Sequence, residues 1–300
     1  MNKLYFHLVS IMVLLIVGLA YSGETDSSLP NPYVIIYPFK SAVIHYTIKN
    51  EYGHGKTSKG TEVVYIKDDK MAKVIKMTIP GPNETTKNVE TLRIFTPDYV
   101  YMIDLTEKTG IKRDNSKKYG KVAYNNLSEE EKKAFHSRME RRGIISLDLL
   151  GLGKKIGTDT ILGRKCDVYE SGKKLSSEEL LKALESGEDS SYTKSWIWRT
   201  AKIPLRIITV GVGRSNELIA IKIEEKVKIP DTRFTVPSDI KVTYDEEKSE
   251  FAKRETLARF ELYKTGKPKV VRMKVKKEVI SPEKSYKPTE SDQKSKENQK

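Results

Sequence analysis

Ser41-Ala-Val-Ile-His-Tyr-Thr-Ile48 alternates side chains so that Ala42, Ile44, Tyr46 and Ile48 share one face. A period of two over eight residues marks a half-buried strand. Downstream, Glu51-Tyr-Gly-His-Gly-Lys-Thr57 breaks the pattern and Thr61-Glu-Val-Val-Tyr-Ile66 resumes it. Asp68-Asp69 turns the chain, Lys73-Val-Ile-Lys-Met-Thr-Ile79 returns, and Pro80-Gly-Pro-Asn83 ends that hairpin. Thr91-Leu-Arg-Ile-Phe95, Pro97-Asp98 and Tyr99-Val-Tyr-Met-Ile103 read as a further strand, turn and strand. Short strands joined by tight turns imply an antiparallel meander.

The later sequence continues in the same manner. Ile161-Leu-Gly-Arg-Lys-Cys-Asp-Val-Tyr169 reads as a hairpin turned at Gly163-Arg164. Ser195-Trp-Ile-Trp-Arg199, Pro204-Leu-Arg-Ile-Ile-Thr-Val210 and Leu218-Ile-Ala-Ile-Lys-Ile223 read as three successive strands. Ile219, Ile221 and Ile223 are expected on one face, and Pro230-Asp-Thr-Arg-Phe-Thr-Val-Pro237 is expected to close the sheet. Two capping boxes interrupt the strands. Ser128-Glu-Glu-Glu131, with Leu127 as a staple, opens a helix to about Arg142 whose narrow apolar stripe is Ala134, Phe135 and Met139. Ser176-Ser-Glu-Glu179 opens a second, short one that stops before Gly187.

Both ends differ from this body. Lys3 followed by Leu8-Val-Ser-Ile-Met-Val-Leu-Leu-Ile-Val-Gly-Leu19 and Ala20-Tyr-Ser22 has the order of a secretory signal, cleaved between Ser22 and Gly23. The rival reading is an uncleaved anchor whose apolar stretch reaches back to Leu4. No cysteine stands near residue 20, so the mature end is not acylated as a bacterial lipoprotein's would be. Residues 23–34 read as a flexible segment and 35–245 as the β domain. Residues 246–300 form a basic extension: helical charge spacing to about Tyr263, an alternating Val271-Arg-Met-Lys-Val-Lys276 and a coreless stretch beyond about 281.

The charge is uneven. Of a formal +14, the stretch from Lys248 to Lys300 contributes 16 Lys/Arg against 8 Asp/Glu, or +8. On an exported protein this points to anionic lipid headgroups or acidic polysaccharide, not to nucleic acid, or else to a solvated tail. The single cysteine, Cys166, has no partner for an intramolecular disulfide, and reads as a small buried strand residue.

No local catalytic signature is present. Gly55-Lys56-Thr57 lacks the glycine of a phosphate loop at Asn50, and Gly151-Leu-Gly153 has Ile156 where a dinucleotide fingerprint needs glycine. His7, His45, His54 and His136 are scattered and lack zinc-ligand spacing, with His45 read as a rim histidine. No Gly-x-Ser-x-Gly elbow occurs. Asn83-Glu-Thr85 and Asn126-Leu-Ser128 are glycosylation sequons that matter only in a eukaryotic host. The expectation is a binding protein that is not an enzyme and needs no metal or other cofactor.

Tyr37-Pro-Phe-Lys-Ser-Ala-Val-Ile-His-Tyr46, Gly60-Thr-Glu-Val-Val-Tyr65, Tyr101-Met-Ile-Asp-Leu-Thr-Glu-Lys-Thr-Gly-Ile-Lys112, Gly163-Arg-Lys-Cys-Asp-Val-Tyr169, Trp196-Ile-Trp198 and Ile203-Pro-Leu-Arg206 resemble a group of exported bacterial proteins. With residues 230–237 they are similar to the periplasmic lipoprotein carriers of the LolA/LolB-like superfamily, over roughly residues 35–245. The resemblance implies an α+β fold, mainly antiparallel, in which an open, curved half-barrel sheet has short helices across its concave face. It implies a periplasmic or secreted protein holding an acyl chain or lipoprotein in that hollow. Tyr46, Tyr65, Tyr101, Trp196, Trp198, Leu205 and Ile221 are the candidate lining residues, unless these side chains simply fill the core. The alternatives are an envelope sensor or surface module acting through partner contacts and the basic tail, and a hydrolase assembled by folding.

Overall fold

The computed structural model describes residues 29–52, 55–81, 85–141, 153–174, 179 and 191–267. The signal and its Ser22/Gly23 junction, His7, His54, Asn83, Gly151, most of the segment opened by Ser176, strand 271–276 and the tail beyond 281 lie outside these residues.

Twelve strands form one sheet. Six lead: β1 (Ser41–Tyr52), β2 (Thr57–Lys67), β3 (Lys70–Pro80), β4 (Thr86–Phe95), β5 (Tyr99–Asp104) and β6 (Thr109–Asp114). Helices α1 (Lys117–Asn125) and α2 (Glu129–Arg141) follow, then β7 (Lys154–Ile161), β8 (Arg164–Gly172), β9 (Ser191–Trp198), β10 (Ile203–Gly211) and β11 (Arg214–Glu225). A 3₁₀ turn (Asp231–Phe234), β12 (Lys241–Tyr244) and α3 (Glu246–Thr265) complete the described chain. The order across the sheet is β12-β6-β5-β4-β3-β2-β1-β11-β10-β9-β8-β7, so β12 and β7 end an open, curved sheet. Neighbours are antiparallel except β12 and β6. The mainly antiparallel α+β class follows directly.

Local chemistry explains the helix ends. In α2 the capping box closes both ways: the Ser128 N–H donates to Glu131 Oε2 (2.9 Å) and the Glu131 N–H to Ser128 Oγ (3.3 Å). Asp245 caps α3 by accepting from the Lys248 N–H (2.9 Å), and Gly266, at φ 79°, ends it. Arg138 of α2 donates to the carbonyls of Tyr263 (3.0 Å) and Lys264, which have no helical donor. In α1 the glycine is steric: a Cβ at Gly120 would lie 2.1 Å from the Tyr33 ring.

Three apolar clusters result. Tyr33, Tyr124, Leu127, Phe135, Met139, Phe260 and Tyr263 join the three helices and the N-terminal segment. This layer meets the sheet at β6, where the Asp114 N–H donates to Ser249 Oγ of α3 (3.0 Å). The described helices contribute no side chain to the other two clusters. One of those gathers Phe39, Ile44, Tyr46, Ile66, Cys166, Trp196, Trp198 and Leu205, and the other Ala72, Leu92, Ile94, Ile103, Ile229 and Phe234.

Residues 230–237 correct a sequence expectation. They pair with no strand, and instead carry Phe234 and Val236 against one sheet face. Pro230 and Pro237 have no N–H for a ladder, and the four residues from Asp231 coil into a turn. The hairpin expected to turn at Gly163-Arg164 turns one residue earlier, at Leu162 (φ 49°) and Gly163 (φ 72°).

Candidate functional site

Pairing from β1 through β6 shows no register shift, so opposed side chains stay on one face across six strands. On one face run Ala42–Ile66–Met71–Phe95–Val100, then Ile44–Val64–Lys73–Arg93–Met102–Ile111, then Tyr46–Glu62–Ile75–Thr91–Asp104, and finally Ile48–Gly60–Met77–Val89. The β1 and β2 ends of these rows are closed. Ile44, Ile66 and Tyr46 pack with Trp196, Trp198, Cys166 and Leu205 from the strands beyond β11. The Tyr46 hydroxyl donates to the Pro204 carbonyl (2.9 Å), with β11 between them, and burial pushes its pKa up. Arg164 of β8 reaches Glu225 of β11 (2.6 Å) across two intervening strands. Groups so far apart in strand order meet because the sheet curls toward this face here.

Closure stops at a charged pair. Glu62 is buried and holds the Lys73 ammonium at 3.3 Å. Past it, Ile75, Met77, Val89, Phe95, Met102 and Ile111 are half-buried and belong to none of the three clusters. Arg93 stands among them, exposed, with no ion-pair partner among the described residues.

The seven residues expected to line a hollow fall in three places. Tyr46, Trp196, Trp198 and Leu205, at 2%, 7%, 5% and 0% exposure, fill the closed core. Tyr65 and Tyr101 lie on the opposite face, packed with Ile229 and Phe234 and capped by cations: Arg233 is 5.0 Å from the Tyr65 ring and Lys112 5.9 Å from that of Tyr101. Ile221 is 53% exposed. The reason is a β-bulge: His45 opposes Lys222 but Tyr46 opposes Ala220, which leaves Ile221 unpaired. Ile219 and Ile223 therefore face opposite ways, one beside Thr47 and the other beside Ile44. No single cavity joins all seven.

Sequence reasoning passed over the half-buried row. Its signal was present in Val74-Ile75 and Val89, where apolar side chains occupy both parities of β3 and β4.

Two polar features border this sheet. Asp114 accepts from the Tyr119 hydroxyl and pairs with Lys118 (2.9 Å); burial opposes its charge, yet these partners hold its carboxyl below the usual range. With Ser249, it fastens β6 to α1 and α3. An open depression of about 490 Å³ at the ends of β2–β4 is lined by polar Lys59, Thr61, Lys76, Asn88 and Glu90 together with Met77 and Val89 of the half-buried row. His45 is a rim residue, 3.1 Å from Glu224. Cys166 is fully buried, its thiol donating to the Arg164 carbonyl (3.4 Å) and its pKa raised by burial. No cluster of three His, Cys, Asp or Glu side chains suited to a metal occurs among the described residues.

No protein-family model matches the sequence. No curated protein matches it either. Among solved structures, an uncharacterized conserved protein from Thermus thermophilus is 7% identical, covering 67% of this chain and 90% of its own with a TM-score of 0.35. Lipoprotein LppX of Mycobacterium tuberculosis is 16% identical over 64% of this chain and 91% of its own, with a TM-score of 0.27. A LolA superfamily protein from Nitrosomonas europaea is 12% identical over 69% and 94%, with a TM-score of 0.24. Alignments this loose say nothing about what the chain binds.

Proposed function

We propose that this is an exported binding protein that takes an acyl chain, free or attached to a lipidated partner, along the open part of its sheet. One observation carries the reading: six apolar side chains share a face with the core and belong to no core. Apolar side chains left out of every core on an open sheet face, here set around Arg93 and Thr91, mark a binding surface more often than decoration. Export rests on the signal-like residues 1–22, and no described helix is long and apolar enough to cross a membrane.

The magnitude is modest. An open face covers roughly half of a sixteen-carbon chain, and eight methylenes at ~0.8 kcal/mol each contribute about 6 kcal/mol. Association costs take back part of this, so binding is expected no tighter than on the order of 10⁻⁵ M. Delipidated protein titrated with a fluorescent sixteen-carbon fatty acid should bind it saturably. Ile75→Gln and Met102→Gln should weaken binding without lowering the melting temperature. Absence of saturable binding by folded protein would eliminate the reading.

A second reading has its own support. The region under Trp196 and Trp198 is filled by the protein's own side chains, as expected of a module that works through protein contacts and needs no small ligand. In that case a partner protein covers the same open face, and the titration is flat.

A further inference from the structure

Resting on the acyl-chain reading, we infer that the ligand is a long-chain carboxylate whose head is held by Arg93. The inference comes from charge placement. Arg93 is flanked on its own face by Lys73 of β3 and Met102 of β5. Along β4 its same-face neighbours are Thr91 and Phe95. The Lys73 charge is already met by buried Glu62 at 3.3 Å. Arg113, one row over on β6, is half-buried near Asp245, whose carboxyl is held below its usual range chiefly by Lys248 (2.7 Å). Of these cations Arg93 alone is exposed, and it has no ion-pair partner among the described residues; Asp104, in the adjacent row of this face, accepts instead from the Thr106 and Glu107 N–H groups (2.8 and 2.9 Å).

A guanidinium on an apolar floor suits a planar two-oxygen acceptor. Its donors form a fixed fork that grips a carboxylate through two parallel hydrogen bonds. From Arg93 to Val89 is four residues of strand, roughly 13 Å, with Met77 and Ile75 alongside. A single chain fits that track, head at Arg93 and tail toward Val89. A single exposed cation also favours a singly charged head over the phosphate of a phosphatidic acid.

The test compares palmitate with its neutral methyl ester, using displacement of a fluorescent fatty acid from full-length delipidated protein. Palmitate should bind roughly fivefold tighter than the ester at low salt, the range of a partly exposed ion pair. The preference should shrink as salt rises, since screening acts within about 10 Å at 0.1 M. Arg93→Gln should bring palmitate down to the ester's affinity, Arg93→Lys should keep part of the difference, and Lys59→Gln on the far face should change nothing. Equal binding of acid and ester by the wild type overturns the inference while leaving acyl binding intact. A preference that survives Arg93→Gln places the head elsewhere and overturns it too. Phosphatidic acid binding more tightly than palmitate refutes the carboxylate. Failure of both palmitate and ester to bind removes the acyl-chain reading itself.

Discussion

Replacing Gly120 with alanine should destabilise the protein, although the same change in an isolated helix would help it. Alanine is favoured over glycine inside a helix by about 1 kcal/mol. In α1, however, the new Cβ would sit 2.1 Å from Tyr33 Cε1, 2.3 Å from Cδ1 and 2.5 Å from Cζ. Carbon atoms settle near about 3.5–4.0 Å, so the ring must retreat by more than about 1 Å. Tyr33 is only 7% exposed and packs in the helix cluster, so it cannot swing aside freely. Overpacking of this kind costs about 1–3 kcal/mol, and the helix gain offsets part of it, leaving a net loss of up to about 2 kcal/mol. Urea unfolding followed by far-UV circular dichroism reads this as a lower midpoint at unchanged slope. The double mutant makes the test sharper. In a Tyr33→Ala background the obstacle is gone, and Gly120→Ala should raise the midpoint. A stabilising Gly120→Ala in the native background would refute the docking of residues 29–33 onto the helix layer.

Two further perturbations address the same layer. Arg138→Ala removes the donor to the carbonyls of Tyr263 and Lys264 and should cost about 1–2 kcal/mol, measured by chemical denaturation; an unchanged midpoint would show that water serves those carbonyls equally well. His136 lies 2.7 Å from the Tyr124 hydroxyl, and burial depresses its pKa despite an opposing hydrogen bond at Pro30. The unfolded chain therefore protonates first, so the stability is complete above about pH 6.5 and falls as pH drops toward the folded pKa. The decline between pH 7 and 5 should flatten in His136→Gln, and an equal decline in that variant would exclude His136 as its source.

How much was legible differs from element to element. Strand β1 announced itself by alternation, Ala42, Ile44, Tyr46 and Ile48 standing against a more polar face, and β2 to β5 as short β-branched or aromatic runs bounded by turn residues. The α2 capping box was equally plain, since both partners lie three residues apart. Strand β6 was missed because Thr109-Gly-Ile-Lys-Arg-Asp114 has one large apolar residue, and β7 because its side chains are almost wholly exposed at the sheet edge. In α1, the glycine that looks like a helix breaker is there for Tyr33, a contact some ninety residues away in sequence. The bulge that turns Ile221 outward is a property of the β1–β11 pair, invisible in either strand alone. For the site, size misled. The large aromatics Trp196 and Trp198 are what the fold uses to fill its own core, whereas the open face is built from Ile75, Met77 and Met102.

The central claim is that an apolar chain lies on this face of β3–β6, and methionine methyls can report it directly. Met77 and Met102 stand on the open face, while Met139 is buried in the helix layer. Protein labelled with ¹³C at the methionine methyls, given a fatty acid with a nitroxide on its chain, should lose the Met77 and Met102 signals and keep that of Met139. Loss of none of them, or of Met139 together with the others, would contradict the account.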